Sequence, residues 1–253
     1  MNKYSEYKPI DELWISEIPS HWTAIKIKYL FSERVEKGYP NEPLLVAAQN
    51  MGVVPKSVYG NRTVEATKDL HLLKLVQIGD FVISLRSFQG GIEYAYYKGI
   101  ISPAYTIMVP GNRIDPHYFR YLAKSRLFIE LLQMCVTGIR EGQNIDYETL
   151  KNHCIPVPPL DEQVQIAKFL DWKINQVKDL IPYKDMTTYF AGTNAKLAKK
   201  MLLVSEYRLR LISDVVTGQL DVRNVVVPEY TVIEEDVIDK NITSDEGESS
   251  EVI

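Results

Sequence analysis

Ile155-Pro156-Val157-Pro158-Pro159-Leu160-Asp161-Glu162-Gln163 divides the 253-residue chain into two kinds of sequence. Its prolines cannot continue a helix, and each biases the residue before it toward extended backbone. Asp161-Glu162-Gln163 then opens a helix, with negative charge at the end where the helix dipole favours it. Upstream, short β-rich runs alternate with turn residues. Downstream, apolar residues recur at helical spacing. The expected division is a β-rich unit over 1–160, a helical unit over 161–223, and an acidic tail over 224–253.

Downstream of the boundary, Ala167, Leu170, Ile174, Val177 and Ile181 step by three and four, a heptad-like seam for packing on another helix. Pro182 ends or kinks that helix. A second helix resumes near Asn194. Leu202, Ser205, Leu209, Ile212 and Val216 repeat the same steps, and Gly218 is a natural C-terminal cap. Two such helices joined by 182–193 predict an antiparallel coiled-coil hairpin. An isolated hairpin buries little apolar area, so the seam meets either another chain or the first unit. Periodicity does not choose between these. After Arg223 the chain reads as disordered, with Val225–Val227 able to extend a strand.

Upstream, strand-like runs occur at Pro43–Ala48, Gly79–Leu85 and Ala104–Val109, each bounded by Gly, Pro or Asn. Asp115 and Pro116 cap and start a helix over His117–Met134, with Tyr118, Leu122, Leu127, Leu131 and Met134 on its buried face. Strands mixed with a few helices predict an α+β fold.

Apolar residues make up 45% and charged residues 25%, the balance of a soluble globular chain. No apolar run approaches the roughly 18 residues of a membrane helix, and the N-terminus has no apolar secretory core. Two cysteines without a CxxC fit a cytoplasmic protein with reduced thiols. The net charge of -4 hides an uneven distribution. Residues 228–253 hold nine acidic residues and one lysine, which leaves 28 basic and 24 acidic residues in 1–227. A mildly basic body permits nucleic-acid binding without establishing it.

Enzyme motifs are missing. There is no Gly-Lys dipeptide for a phosphate loop, no GxGxxG, no GxSxG and no HExxH. His21, His71, His117 and His153 lack metal-ligand spacing. Val157-Pro158-Pro159-Leu160 lacks the Asn/Asp lead and the aromatic of an amino-methyltransferase motif. Asp171-Trp172-Lys173 has nuclease-like spacing but sits in a helix as a solvated face. Cys135 ends an apolar helix face, where a thiol is structural. No catalytic residue, metal site or bound cofactor is expected.

Several segments in order carry a resemblance. Ile18-Pro19-Ser20-His21-Trp22 and Ile27-Lys28-Tyr29-Leu30-Phe31 are followed by Gly79-Asp80-Phe81-Val82-Ile83-Ser84. Then come Phe88-Gln89-Gly90-Gly91-Ile92 and Gly99-Ile100-Ile101-Ser102-Pro103-Ala104-Tyr105. Ile155–Gln163 with Ile166 and Leu170, then Glu206-Tyr207-Arg208, Leu211-Ile212 and Val216-Thr217-Gly218, complete the set. Over residues 13–223 the chain resembles the specificity (S) subunit of type I restriction-modification systems.

That resemblance implies a non-catalytic DNA-recognition subunit, with one target-recognition domain followed by conserved helices that space and dock methyltransferase (M) subunits. S-adenosylmethionine, ATP and Mg would belong to partner subunits, with the nuclease and translocase in a restriction (R) subunit. Full-length members carry two recognition domains, so this chain resembles a half subunit. It would read a bipartite double-stranded DNA site by forming a homodimer or pairing with another half. The alternative is a regulatory or defunct half that docks M subunits without completing a reader. Pro182 and Ala191-Gly192-Thr193-Asn194 interrupt helices that the family keeps more regular, which leaves the spacer length open.

Base reading needs Arg, Lys, Asn or Gln with reach into the major groove, each good bidentate pair giving roughly 1–3 kcal/mol of discrimination. Loop candidates are Lys56, Ser57 and Arg62; Arg86, Ser87 and Gln89; and Arg140, Gln143 and Asn144. Each could equally be a solvated surface residue. Arg86 and Gln89 are preferred, because Gly90-Gly91 permits close backbone approach to a ligand. Tyr94, Tyr96, Tyr97 and Tyr105 could stack or contact phosphate, although strand aromatics are more often core; Gly90-Gly91 equally fits a simple turn, and Ser102–Tyr105 reads as structural. Lys196, Lys199, Lys200, Arg208 and Arg210 suit either DNA backbone or an M-subunit surface.

Overall fold

The computed structural model describes residues 2–49, 51–59, 69–138, 143–179 and 195–229. In chain order the elements are β1 (Tyr7–Pro9), β2 (Glu17–Pro19), β3 (Thr23–Lys26), β4 (Phe31–Glu33), β5 (Leu45–Ala48), β6 (Gly52–Pro55) and the single turn α1 (Lys56–Tyr59). Next come β7 (Lys74–Val76), β8 (Phe81–Ile83), the single turn α2 (Ser87–Gly90), β9 (Glu93–Tyr94), β10 (Gly99–Ile101) and β11 (Thr106–Pro110). The remainder is α3 (Pro116–Leu122), α4 (Arg126–Met134), β12 (Val136–Thr137), β13 (Asn144–Ile145), α5 (Tyr147–Leu150), β14 (Cys154–Val157), α6 (Leu160–Asp179) and α7 (Ala195–Val216). This is the expected α+β mixture. No helix among these residues is long and apolar enough to cross a membrane.

The central sheet is antiparallel in the order β4-β11-β8-β9. Successive strand residues point to opposite faces, and here both faces are covered. Phe81, Ile83 and Met108 enter the main core, while Val82 and Ile107 enter a second, smaller core with Leu45, Val53, Val76, Ala95 and Ile101. That double burial is why Phe81-Val82-Ile83 reads as unbroken apolar sequence. In the main core Phe31, Phe81 and Phe119 stack with centroids 4.5–6.1 Å apart, mostly edge to face.

The helix expected over His117–Met134 is two helices. Asp115 caps α3, accepting from Tyr118 N at 2.9 Å, and Pro116 sits in its first turn as anticipated. Ser125 then ends α3 and starts α4: its hydroxyl donates to Leu122 O and accepts from Phe128 N. A short polar residue that can bond the backbone breaks the run that apolar spacing joined. Tyr118, Leu122 and Leu131 are fully buried, but Met134, at the frayed end, is exposed.

The Pro-rich boundary is β14, paired antiparallel with β3. Behind it, Glu162 is not a solvated helix-dipole partner. It is 4% exposed and accepts from Tyr4 Oη at 2.6 Å and Trp22 Nε1 at 3.0 Å, with His21 Nε2 at 2.8 Å. Gln163, fully buried, donates from its amide to Arg113 O and Pro158 O and accepts from Asp115 N. The two motifs Pro19–Trp22 and Asp161–Gln163, 140 residues apart, are thus one buried polar network. Gly218 has φ +77°, and a Cβ there would strike the Pro19 ring; Tyr7 Oη donates to its carbonyl at 2.9 Å.

α6 and α7 pack on each other and on α3. Leu170, Ile174, Val177, Ile212 and Val216 are buried, all but Val177 within the same core as Trp22 and Tyr118. For these residues the seam closes within the chain. Leu202 and Leu209 depart from expectation: they are 60% and 53% exposed, beside exposed Leu203 and Tyr207. Ile181 lies outside the described residues. Residues 225–227 form no strand; the Gln165 amide instead holds Val222 O and Val225 O.

Candidate nucleic-acid interface

The exposed loop after β8 contains α2. Its geometry follows from short-range bonds. Ser87 Oγ accepts from Ser84 N at 2.9 Å, Gly91 N donates to Ser87 O, and Gln89 N donates to Arg86 O. Side chains from the α3–α4 junction and from α4 then satisfy the end of this turn. Lys124 Nζ donates to Gly90 O at 2.9 Å, and Gln133 Nε2 donates to Phe88 O at 3.3 Å. The Phe88 ring rests against the main core. The loop is pinned along its inner side, while Arg86 and Gln89 are exposed on its outer side.

Behind the loop lies an ion pair that no motif signalled. Glu93, 3% exposed, meets Lys124 Nζ at 2.5 Å. Its other oxygen, Oε2, is buried without a hydrogen-bond partner, although the backbone amide of Gly52, at the start of β6, lies near enough to favour the charged form. Burial pushes the Glu93 carboxyl above its ordinary range, with Lys124 and the Gly52 amide pulling it partly back. Glu93 on β9 and Lys124 just after α3 therefore tie the central sheet to the α2 loop. An acidic residue inside a strand carries no sequence signature for such a role.

The other candidates separate. β13 packs beside α2, and Asn144 on it is exposed. Part of its capacity is taken, since Asn144 Oδ1 accepts from Ile145 N at 2.9 Å. Gln143 is exposed next to it. Lys56 and Ser57 lie on α1, at the opposite end of the β5–β6 hairpin from its turn. Ser57 is exposed, but Lys56 Nζ is buried without a hydrogen-bond partner. Arg62 and Arg140 lie outside the described residues.

Two sequence expectations are corrected. Ser87 is 2% exposed, and its hydroxyl is engaged by Ser84, so it shapes the loop and offers nothing to a ligand. The Gly90-Gly91 pair does allow a close approach, but of protein. A Cβ at Gly91 would overlap Ala123 O, and one at Gly90 would overlap the Gln49 carboxamide. Gln49, exposed on the β5–β6 turn, was not singled out by sequence because no local pattern marks it.

Among the tyrosines, Tyr94 is core, whereas Tyr96 and Tyr97 are 41% and 36% exposed. Tyr105 is half-buried, and its carbonyl accepts from Lys74 Nζ. Asp80 of the Gly79-Asp80-Phe81 motif is 2% exposed and bonds Arg34 Nε at 2.9 Å and Gln77 N at 2.8 Å, a structural anchor. Cys135 is buried; desolvation, with Asp146 and Glu12 nearby, pushes its thiol up to about 11. Such a thiol is a poor nucleophile. No group of three potential metal ligands occurs among the described residues.

Comparison with known proteins places this geometry. The family described as Type I restriction modification DNA specificity domain matches residues 55–182, about half of the chain and the stretch that includes the α2 loop and the Pro156–Gln163 boundary. A Methanocaldococcus jannaschii protein assigned as the type I restriction enzyme MjaX specificity subunit is 26% identical over 218 residues, covering 81% of this chain and 48% of that protein. Among solved structures, the HsdS subunit from Thermoanaerobacter tengcongensis aligns with TM-score 0.44 at 17% identity, over 85% of this chain and 48% of that one. A type I restriction-modification S subunit from M. genitalium aligns with TM-score 0.40 at 19% identity, over 71% and 44%. The chain spans about half the length of the curated relative it matches. With the family matched across half of its residues, the chain belongs to the type I restriction modification DNA specificity domain family.

Proposed function

We propose that the chain is a non-catalytic, cytoplasmic DNA-recognition subunit. It directs methyltransferase subunits, and through the assembled complex a restriction subunit, to a bipartite site on double-stranded DNA. The division into a recognition unit (1–160), a helical unit (161–223) and an acidic tail (224–253) belongs to this reading. The observation that carries it is the α2 loop of a family member, pinned from within by Lys124 and Gln133 while Arg86 and Gln89 face outward. A preorganised loop suits base reading, because little side-chain and backbone entropy is lost when it meets a groove. Asn144 and Gln143 flank this surface; Arg62 and Arg140 join it as sequence-based candidates. Lys56, its ammonium buried, is the weakest of the set.

The exposed Leu202 and Leu209, two turns apart on one face of α7, support assembly with another subunit, since an apolar helical stripe left in water is a surface for a partner. Two copies, or this chain and another half, would present two recognition units. A homodimer is isologous, so its target is a palindrome of two half-sites. The same stripe favours a second reading, a regulator that docks methyltransferase subunits without reading DNA. The R86A/Q89A double variant decides between them. Under recognition, the methylated motif relaxes or disappears. Under regulation, the effect on methyltransferase activity persists unchanged. Light scattering of the chain mixed with its methyltransferase subunit tests the assembly: two copies with two methyltransferase subunits support a complete reader.

A further inference from the structure

Gln49 sits at the tip of the β5–β6 hairpin, its side chain exposed and laid against Gly90. Gly90 ends the turn that carries exposed Gln89, with exposed Arg86 just before it. The hairpin tip is not free to wander. Gly52, just after the turn, has φ +81°, and a Cβ there would lie 2.7 Å from Tyr94 O and 2.6 Å from the Tyr96 ring. The tip is thus pressed onto β9. The buried Glu93 carboxylate, on β9, pairs with Lys124, while Lys124 also holds Gly90 O. One buried ion pair thus ties β9, on which the hairpin tip rests, to the α2 loop.

Resting on the recognition reading, we infer that Gln49 is a further specificity-determining residue, reading a base adjacent to those met by Arg86 and Gln89. A glutamine carboxamide offers a donor and an acceptor side by side, the pattern that matches adenine N7 and N6 in the major groove. Gly90 is the seat of that side chain. Its φ is not in the left-handed region, so alanine is tolerated by the backbone, and only Gln49 has to move. Gly90→Ala therefore displaces the carboxamide without straining the loop.

The test is selection from a duplex DNA library with a randomised core, by the full chain co-produced with its methyltransferase subunit. Variants Q49A, Q49E, G90A and R86A are compared with wild type, each checked for an unchanged circular dichroism spectrum. Q49A is expected to lose roughly 5- to 150-fold of preference at one base position and to keep the rest of the motif. G90A should perturb that same position. Q49E, which keeps the shape but only accepts, should turn the preference from adenine toward cytosine; it also decides the matter if Q49A folds poorly. Motifs identical to wild type for Q49E and G90A, with R86A altered, would overturn the role of Gln49 and leave the recognition reading standing. A wild-type chain that enriches no motif, or an R86A variant that leaves the motif unchanged, would overturn the recognition reading and this inference with it.

Discussion

Replacing Glu162 by alanine tests the network that ties the N-terminal segment to the start of α6. In the native chain Glu162 Oε1 accepts from Tyr4 Oη at 2.6 Å and Trp22 Nε1 at 3.0 Å, and all three residues are at most 5% exposed. Removing the carboxylate leaves two buried donors without an acceptor, each costing about 1–3 kcal/mol. His21, a third exposed at its side chain, loses a partner of little net value. The expected loss is about 2–6 kcal/mol, or on the order of 10 °C in Tm for a chain of this size. Urea denaturation followed by tryptophan fluorescence, with Trp22 inside the network, measures it at constant m-value. The coupling sharpens the test. Tyr4→Phe destabilises the wild type by about 1 kcal/mol, but in the E162A background it removes an orphaned hydroxyl and should recover stability. An E162A chain within about 0.5 kcal/mol of wild type, or a Tyr4→Phe effect equal in both backgrounds, would refute the network as the link between these segments.

Three further outcomes follow from the geometry. Glu93 titrates above its ordinary range because it is buried, so the folded chain holds that proton more tightly than the unfolded one. Its contribution is therefore full below the ordinary carboxylate pKa and is lost as pH rises through the raised one; the stability of wild type relative to E93Q should fall across that window in urea melts at stepped pH. Cys135, with its thiol raised to about 11, should react with iodoacetamide at pH 8 far more slowly than a free thiol, and at the free rate only in denaturant. L202A/L209A should leave the chain's own melting within about 0.5 kcal/mol, because both side chains are already exposed, yet weaken its association with methyltransferase subunits on size exclusion.

The sequence made some features legible because they are local. Asp115-Pro116 starts α3 wherever it occurs, since the cap bonds within three residues. The prolines at 156, 158 and 159 mark an extended stretch for the same reason. The α+β class, too, follows from such local signals. Long-range polar pairing was hidden. Glu162 looks like any acidic helix opener until Tyr4, His21 and Trp22 arrive from 158, 141 and 140 residues upstream. Glu93 looks like an exposed strand residue until Lys124 covers it. The α3–α4 break was missed because apolar spacing outweighed Ser125, whose hydroxyl serves the ends of two helices at once.

The candidate site was legible as a loop and illegible as a surface. Arg86 and Gln89 were found by residue type and by their place beside a glycine pair. The glycine pair beside them makes room for protein, Gln49 and Ala123 O. Ser87 was a polar residue in a loop, and only the fold reveals that its hydroxyl faces inward. Periodicity places Leu202 and Leu209 in the same seam as Ile212 and Val216, although over 199–210 the described side chains of α7 are mostly in solvent.

Methylation mapping in cells that carry this chain as their sole specificity subunit, with its methyltransferase, tests the central claim most directly. The account requires methylation at a bipartite motif of two half-sites, palindromic if the chain pairs with itself, that relaxes or vanishes when Arg86 and Gln89 are both alanine. Methylation without a sequence motif, or a motif unchanged in the double variant, would contradict it.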